Sequence, residues 1–131
     1  MAGPLDGVRI LDLTTVVMGP YATQILADYG ADVIKLEPLE GDVMRHNAPM
    51  RSKGMGHIFM NANRNKRSVV LDLKKDGGRE ACLAIAKGAD VLVYNIRPQA
   101  MARLKLAYED VRAVNPRIVY VGAFGYSQRG P

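Results

Sequence analysis

VRILDL (8–13), TTVVMG (14–19), PYATQILADY (20–29), GA (30–31) and DVIKL (32–36) make up the stretch that decides the fold. Residues 8–13 are a short, branched, apolar run, which reads as a strand. Residues 14–19 interrupt it as a loop. Pro20 suits a first helical turn, where its missing N–H costs nothing. Ala22, Ile25, Leu26 and Tyr29 recur at i, i+3, i+4 and i+7, so the pattern predicts a helix over 20–29 with these residues on its buried stripe. Gly30 stands where a left-handed residue ends a helix. Residues 32–36 then read as the next strand.

Outward from this unit the alternation repeats. The sequence predicts strands over 68–73 (SVVLDL), 90–94 (DVLVY) and 117–122 (RIVYVG). Helices are expected over 78–87, with Ala81, Cys82 and Ile85 inward, and over 99–104 and 108–114. Between 38 and about 67 periodicity is lost, and a structureless stretch of that length inside a compact domain is often functional. Strand and helix alternating, with near-continuous apolar strands, predict the α/β class: a parallel sheet with helices on both faces, in one domain over 1–131. Ligands of such sheets sit beyond the carboxyl ends of the strands. Here those ends are the loops 14–19, 37 onward, 72–76, 95–98 and 122–131.

Composition narrows the class further. With 48% hydrophobic and 24% charged residues among 131, the chain can bury an ordinary globular core, which argues against disorder. Its one cysteine, Cys82, permits no internal disulfide and points to a reducing compartment, hence a cytoplasmic location. The opening residues Met1-Ala2-Gly3-Pro4-Leu5-Asp6 have neither the basic nor the apolar region of a leader, and no apolar run is long enough to span a membrane. Lys and Arg number 18 against 13 Asp and Glu, a net +5. The excess is concentrated: nine basic residues lie between 44 and 79 against Asp72 and Asp76, leaving the rest of the chain at −2. Such a zone fits either an anionic partner or a solvated loop.

Local motifs exclude more than they assign. A dinucleotide site needs three glycines where Thr14-Thr15-Val16-Val17-Met18-Gly19-Pro20 has one, and no phosphate-loop signature occurs. His46 and His57 have no partners at metal-ligand spacing, so no metal is expected. Cys82 reads as an inert core thiol. Asp32 and Asp90 read as turn caps. Glu37 ends a strand, where it serves either chemistry or an ion pair with Lys35 or a loop arginine. The basic zone lacks a stacking array of aromatics, so no nucleic-acid partner is expected.

Longer motifs carry a resemblance. Leu5-Asp6-Gly7, Leu11-Asp12-Leu13-Thr14, Gly19-Pro20, Leu26-Ala27-Asp28, Gly30-Ala31-Asp32-Val33-Ile34-Lys35 and Asn63-Arg64-Asn65-Lys66-Arg67-Ser68 occur in order. Leu71-Asp72-Leu73-Lys74, Gly78-Arg79, Ala89-Asp90-Val91-Leu92, Arg97-Pro98, Asn115-Pro116-Arg117 and Gly125-Tyr126-Ser127-Gln128-Arg129-Gly130-Pro131 follow. The chain resembles the family III CoA-transferases, which include formyl-CoA transferase, carnitine-CoA transferases and alpha-methylacyl-CoA racemase. The resemblance implies the N-terminal, CoA-binding part of a Rossmann-like large domain, and an interlocked homodimer at full length. It implies coenzyme A or acyl-CoA as substrate, with no permanently bound cofactor, and a carboxylic acid as the second substrate. CoA passes between acids through an aspartyl mixed anhydride. That aspartate lies past residue 131, so no catalytic residue is expected within this chain, and the chain alone is expected to be inactive. Asn65-Lys66-Arg67-Ser68 is closer to the transferase branch than to the racemase. A free-standing CoA-binding module is the alternative.

Carried over by position, the CoA contacts are Val16, Val17 and Met18 in the first loop, Leu71, Leu73 and Lys74 along the nucleotide, and Asn95, Ile96, Arg97 and Arg103 in the next loop and helix. Val17 replaces a glutamine of formyl-CoA transferase. Pro38 stands where some members have an arginine. Lys74, Arg97 and Arg103 are the cations expected to converge on phosphate.

Overall fold

The computed structural model describes residues 3–128; the end of the Gly125–Pro131 motif lies outside them. Five parallel strands run β1 (Arg9–Leu13), β2 (Asp32–Glu37), β3 (Lys66–Val70), β4 (Val91–Tyr94) and β5 (Val119–Gly122), in the spatial order β3-β2-β1-β4-β5. That is the doubly wound order, reversing direction between β1 and β4. Helices α1 (Met18–Asp28), α2 (His57–Ala62), α3 (Asp76–Lys87), α4 (Pro98–Arg103) and α5 (Tyr108–Val114) fill the connections. The predicted alternation and parallel sheet are both present.

Because side chains alternate across a strand, register assigns each residue a face. Leu11, Leu13, Ile34, Leu36, Leu92 and Tyr94 point to one face, where Cys82 and Ala86 of α3, Met101 of α4 and Val111 of α5 close the larger core. Ile10, Val33 and Val93 point to the other, against Ala27 and Leu26 of α1. Cys82 is fully buried, and burial pushes its thiol up to about 12, which makes it the inert core thiol expected.

Four local expectations are corrected. Helix α1 starts at Met18 rather than Pro20, leaving Pro20 among the first helical N–H positions that need no partner. Its buried side is Gly19, Pro20, Thr23, Gln24 and Ala27, while Tyr21, Ala22, Ile25 and Tyr29 face outward. Polar Thr23 is inside because it donates to Asp12 of the sheet beneath, and Gln24 is inside between α1 and α2, donating to Asp28. Residues 38–65 are not structureless: they hold a 3-10 turn (Val43–His46) and the short helix α2. Strand β3 runs two residues earlier than predicted and stops at Val70, so Leu71 and Leu73 leave the sheet.

The basic zone is mostly neutralised from within. Five of its nine cations are in ion pairs: Arg45 with Glu37, Arg64 with Asp28, Lys66 with Asp12, Arg67 with Asp32 and Arg79 with Asp76. Segment charge therefore overstates the field available to an anionic partner. Asp32 caps no turn; it bridges Arg9 and Arg67 on the sheet surface. Asp90 accepts the Arg9 backbone N–H at 2.8 Å.

Candidate functional site: a cleft at the carboxyl edge of the sheet

The strand ends make a cleft of about 380 Å³. Leu13 and Leu36, the last core-facing residues of β1 and β2, form its floor with Ile96, just beyond β4, and Leu104, after α4. Leu71, Asp72, Leu73 and Lys74 form one wall, and Pro38, Leu39 and Glu40 another. The 71–74 wall exists because the chain turns out of the sheet. Leu71 N–H still donates to Glu37 O at 3.1 Å, and Asp72 Oδ1 then accepts the Lys74 N–H at 3.1 Å. Helix α3 starts tight against this turn. A Cβ at Gly78 would lie 2.1 Å from Asp72 O, so only glycine allows the approach.

Leu71, Leu73, Lys74 and Ile96 thus line one cleft, joined by residues the sequence did not single out: Leu13, Leu36 and Leu104, apolar core positions whose outer edges the cleft exposes. Asn95 does not line it. Its side chain accepts Thr15 N–H at 3.0 Å and donates to Thr15 O at 2.9 Å, holding the first loop rather than facing the cleft. Arg97 precedes α4 and Arg103 ends it, both exposed and neither lining the cleft. Of the three cations expected to converge, only Lys74 lines it.

The first loop stands apart. Val16 has φ +75°, a left-handed conformation that a β-branched residue adopts only when its surroundings impose it. Val16 and Met18 are exposed. Val17 lines a second groove of about 320 Å³ between α1 and α2, with Tyr21, Gln24, His57, Ile58, Asn61 and Arg64. Thr15 lines the cleft and Val17 the groove, so the loop is a ridge between the two.

Beneath the ridge lies a polar network that the sequence pattern hid. Asp12, Lys35 and Ser68 are paired across β1, β2 and β3 on the α1 face. Lys66 Nζ, with its side chain 1% exposed, donates to Asp12 Oδ2 (2.9 Å), Pro20 O (2.8 Å), Thr23 Oγ1 (2.8 Å) and Asn63 Oδ1 (2.9 Å). Burial lowers its affinity for the proton, and Asp12 opposes that shift. Asp12 also accepts from Thr14 N–H, Thr14 Oγ1 and Thr23 Oγ1. Glu37 accepts from Arg45 twice at 2.6 Å, from Ser68 Oγ at 2.6 Å and from Asp42 N–H at 2.9 Å. Burial raises the Glu37 carboxyl, but these donors outweigh it and hold it at about 2. Glu37 therefore takes the ion-pair role, with the loop arginine as partner. Among the described residues no three His, Cys, Asp or Glu side chains are grouped to hold a metal ion.

Strand order, switch point and edge cleft define a doubly wound α/β domain with an open cleft at its carboxyl edge. Comparison with known proteins makes this specific: residues 5–131 match the CoA-transferase family III model, and the chain belongs to that family. It is 44% identical over 128 residues to a succinyl-CoA:mesaconate CoA-transferase of Haloarcula hispanica, covering 95% of this chain and 32% of the relative. An acyl-CoA transferase of Fusarium pseudograminearum is also 44% identical, over 98% of this chain and 30% of its own length. The crystal structure of a CAIB/BAIF family protein from Brucella suis superposes with a TM-score of 0.94 at 35% identity, over 100% of this chain and 36% of that one. The chain spans about a third of the length of the proteins it matches.

Proposed function

We propose that this chain supplies the nucleotide-binding side of a CoA site in an enzyme that moves CoA between a CoA thioester and a carboxylic acid. The observation that carries the reading is the clustering of Leu71, Leu73, Lys74 and Ile96 in one cleft at the carboxyl edge, in a chain of this family. Apolar walls suit the adenine and its ribose, and the Lys74 ammonium is a point charge for phosphate. Arg97 and Arg103, at the two ends of α4, are further phosphate donors in this reading. The pantetheine arm then crosses the ridge at Val16 toward Val17 and Met18.

The chemistry belongs to the longer protein. An aspartate there attacks the thioester carbonyl, releases the CoA thiolate and carries the acyl group as a mixed anhydride. Transfer is preferred to racemisation, as the transferase names of the relatives support. No permanently bound cofactor is required. The exposed Tyr21 and Ile25 of α1 and Tyr29 just after it, with Val119 of β5, support a homodimer in which those faces are covered. A cytoplasmic location agrees with the single buried cysteine. No helix among the described residues is long and apolar enough to cross a membrane.

Titration of the chain with CoA by isothermal calorimetry tests the reading. Saturable binding is expected, weakened about ten-fold in Lys74→Ala by loss of one charge-assisted contact. Absence of CoA binding, or binding indifferent to Lys74, overturns it.

A further inference from the structure

We propose that Lys35 is a positioning residue for the cleft: one buried ammonium that fixes both the strained ridge and the wall opposite. Lys35 is 1% exposed and sits on β2, between β1 and β3. A fully buried lysine is uncommon and needs partners that hold its charge. Its partners come from two loops. Nζ donates to Thr14 O at 2.8 Å, at the foot of the loop carrying Thr15 and Val16. It also lies 2.9 Å from Asp42 Oδ2, two residues beyond the Pro38–Glu40 wall.

Both contacts look like positioning. Asp42 Oδ2 has no aligned hydrogen bond, so the ion pair is held by charge, while its Oδ1 accepts Met44 N–H at 2.9 Å and starts the 3-10 turn. The Thr14 carbonyl has a directed bond, and it precedes the left-handed Val16 by two residues. Strained backbone persists only where neighbouring contacts fix it. Here the fixing contacts are Lys35 on the Thr14 carbonyl, Asp12 on the Thr14 N–H and hydroxyl, and Asn95 on Thr15; of these Lys35 alone also reaches the 38–42 loop. Lys66, the other buried ammonium, anchors the foot of α1 instead. Lys35 touches no ligand in this arrangement; it sets the distance between two walls that do.

The functional half of the inference rests on the CoA reading above; the geometric half does not. The test pair is Lys35→Met with Asp42→Asn, which removes both charges together and keeps an acceptor for Met44 N–H. Native-state hydrogen exchange of the chain without ligand is expected to show faster amides at 14–17 and 39–42, with global stability near that of the parent. CoA affinity is expected to fall about ten-fold or more. Unchanged exchange in both loops overturns the proposal, whether or not the parent binds CoA. Faster exchange with undiminished affinity, in a parent that binds CoA, also overturns it. If the double variant fails to fold, Lys35→Arg keeps the charge opposite Asp42 and alters the reach to Thr14. The same local exchange and the same weakening are expected, and their absence is equally decisive.

Discussion

On one face of the sheet Leu11, Leu13, Leu36 and Leu92 meet α3, α4 and α5 in an apolar core. On the other, the same strands present Ile10 and Val33 near their beginnings but Asp12, Lys35 and Glu37 near their ends, under α1 and the 38–65 segment. The apolar face needs only volume and shape. The ionic face needs specific partners: Asp12 requires Lys66, Lys35 requires Asp42, and Glu37 requires Arg45. A long irregular segment can cover such a surface because its Asp42 and Arg45 supply two of those partners, and β3, which follows it, supplies Lys66. The proposed CoA cleft then sits at the seam, where the apolar face opens and the ionic face holds the loops that border it.

Lys66→Met is the strongest way to break this comparison. It leaves the buried Asp12 carboxylate without a counter-charge and is expected to cost about 4 kcal/mol in urea unfolding. A loss below about 1 kcal/mol would mean that the ionic half behaves like surface. Acid is the second lever. The Glu37 carboxyl is held at about 2 against an ordinary 4.5, so its contribution is complete above that ordinary value and is lost as pH falls toward 2. The difference corresponds to about 3 kcal/mol between neutral pH and full protonation. Glu37→Gln is expected to flatten that part of the stability profile, and an unchanged slope would refute the assignment. Asp32→Asn gives the smallest effect. Asp32 is one-third exposed and its arginines more so, and the variant is expected to cost less than about 1 kcal/mol by the same urea measurement. Similar charges at opposite ends of the strands would then differ several-fold in worth, through burial alone.

The fold was legible where periodicity and branching speak, in β1, β2, β4 and the helices between them. The mirror error over α1 has a physical cause. An apolar stripe predicts the buried side only if the surface beneath is apolar, and here Thr23 faces Asp12 and Lys66 while Gln24 turns toward α2 and bonds Asp28. Strand β3 was misplaced because Lys66 and Arg67 read as loop cations, although Lys66 opens the strand and is buried by its ion pair. Six-residue α2 follows Gly56 without a side-chain cap and inside an aperiodic segment, whereas the equally short α4 opens on Pro98. At the site, Leu71, Leu73, Lys74 and Ile96 were reachable through motif order. The absence of Arg97 and Arg103 from the cleft was not, since no spacing rule says which way a helix-end arginine points.

The Asp12–Lys66 pair joins residues 54 positions apart in a space that admits no water-facing compromise. Neutralising either member alone strands the other, so the two sites have no gradual route of exchange. Across variants of this domain they should be replaced jointly or left untouched, and a saturation scan would record them as a linked barrier rather than as two intolerant positions.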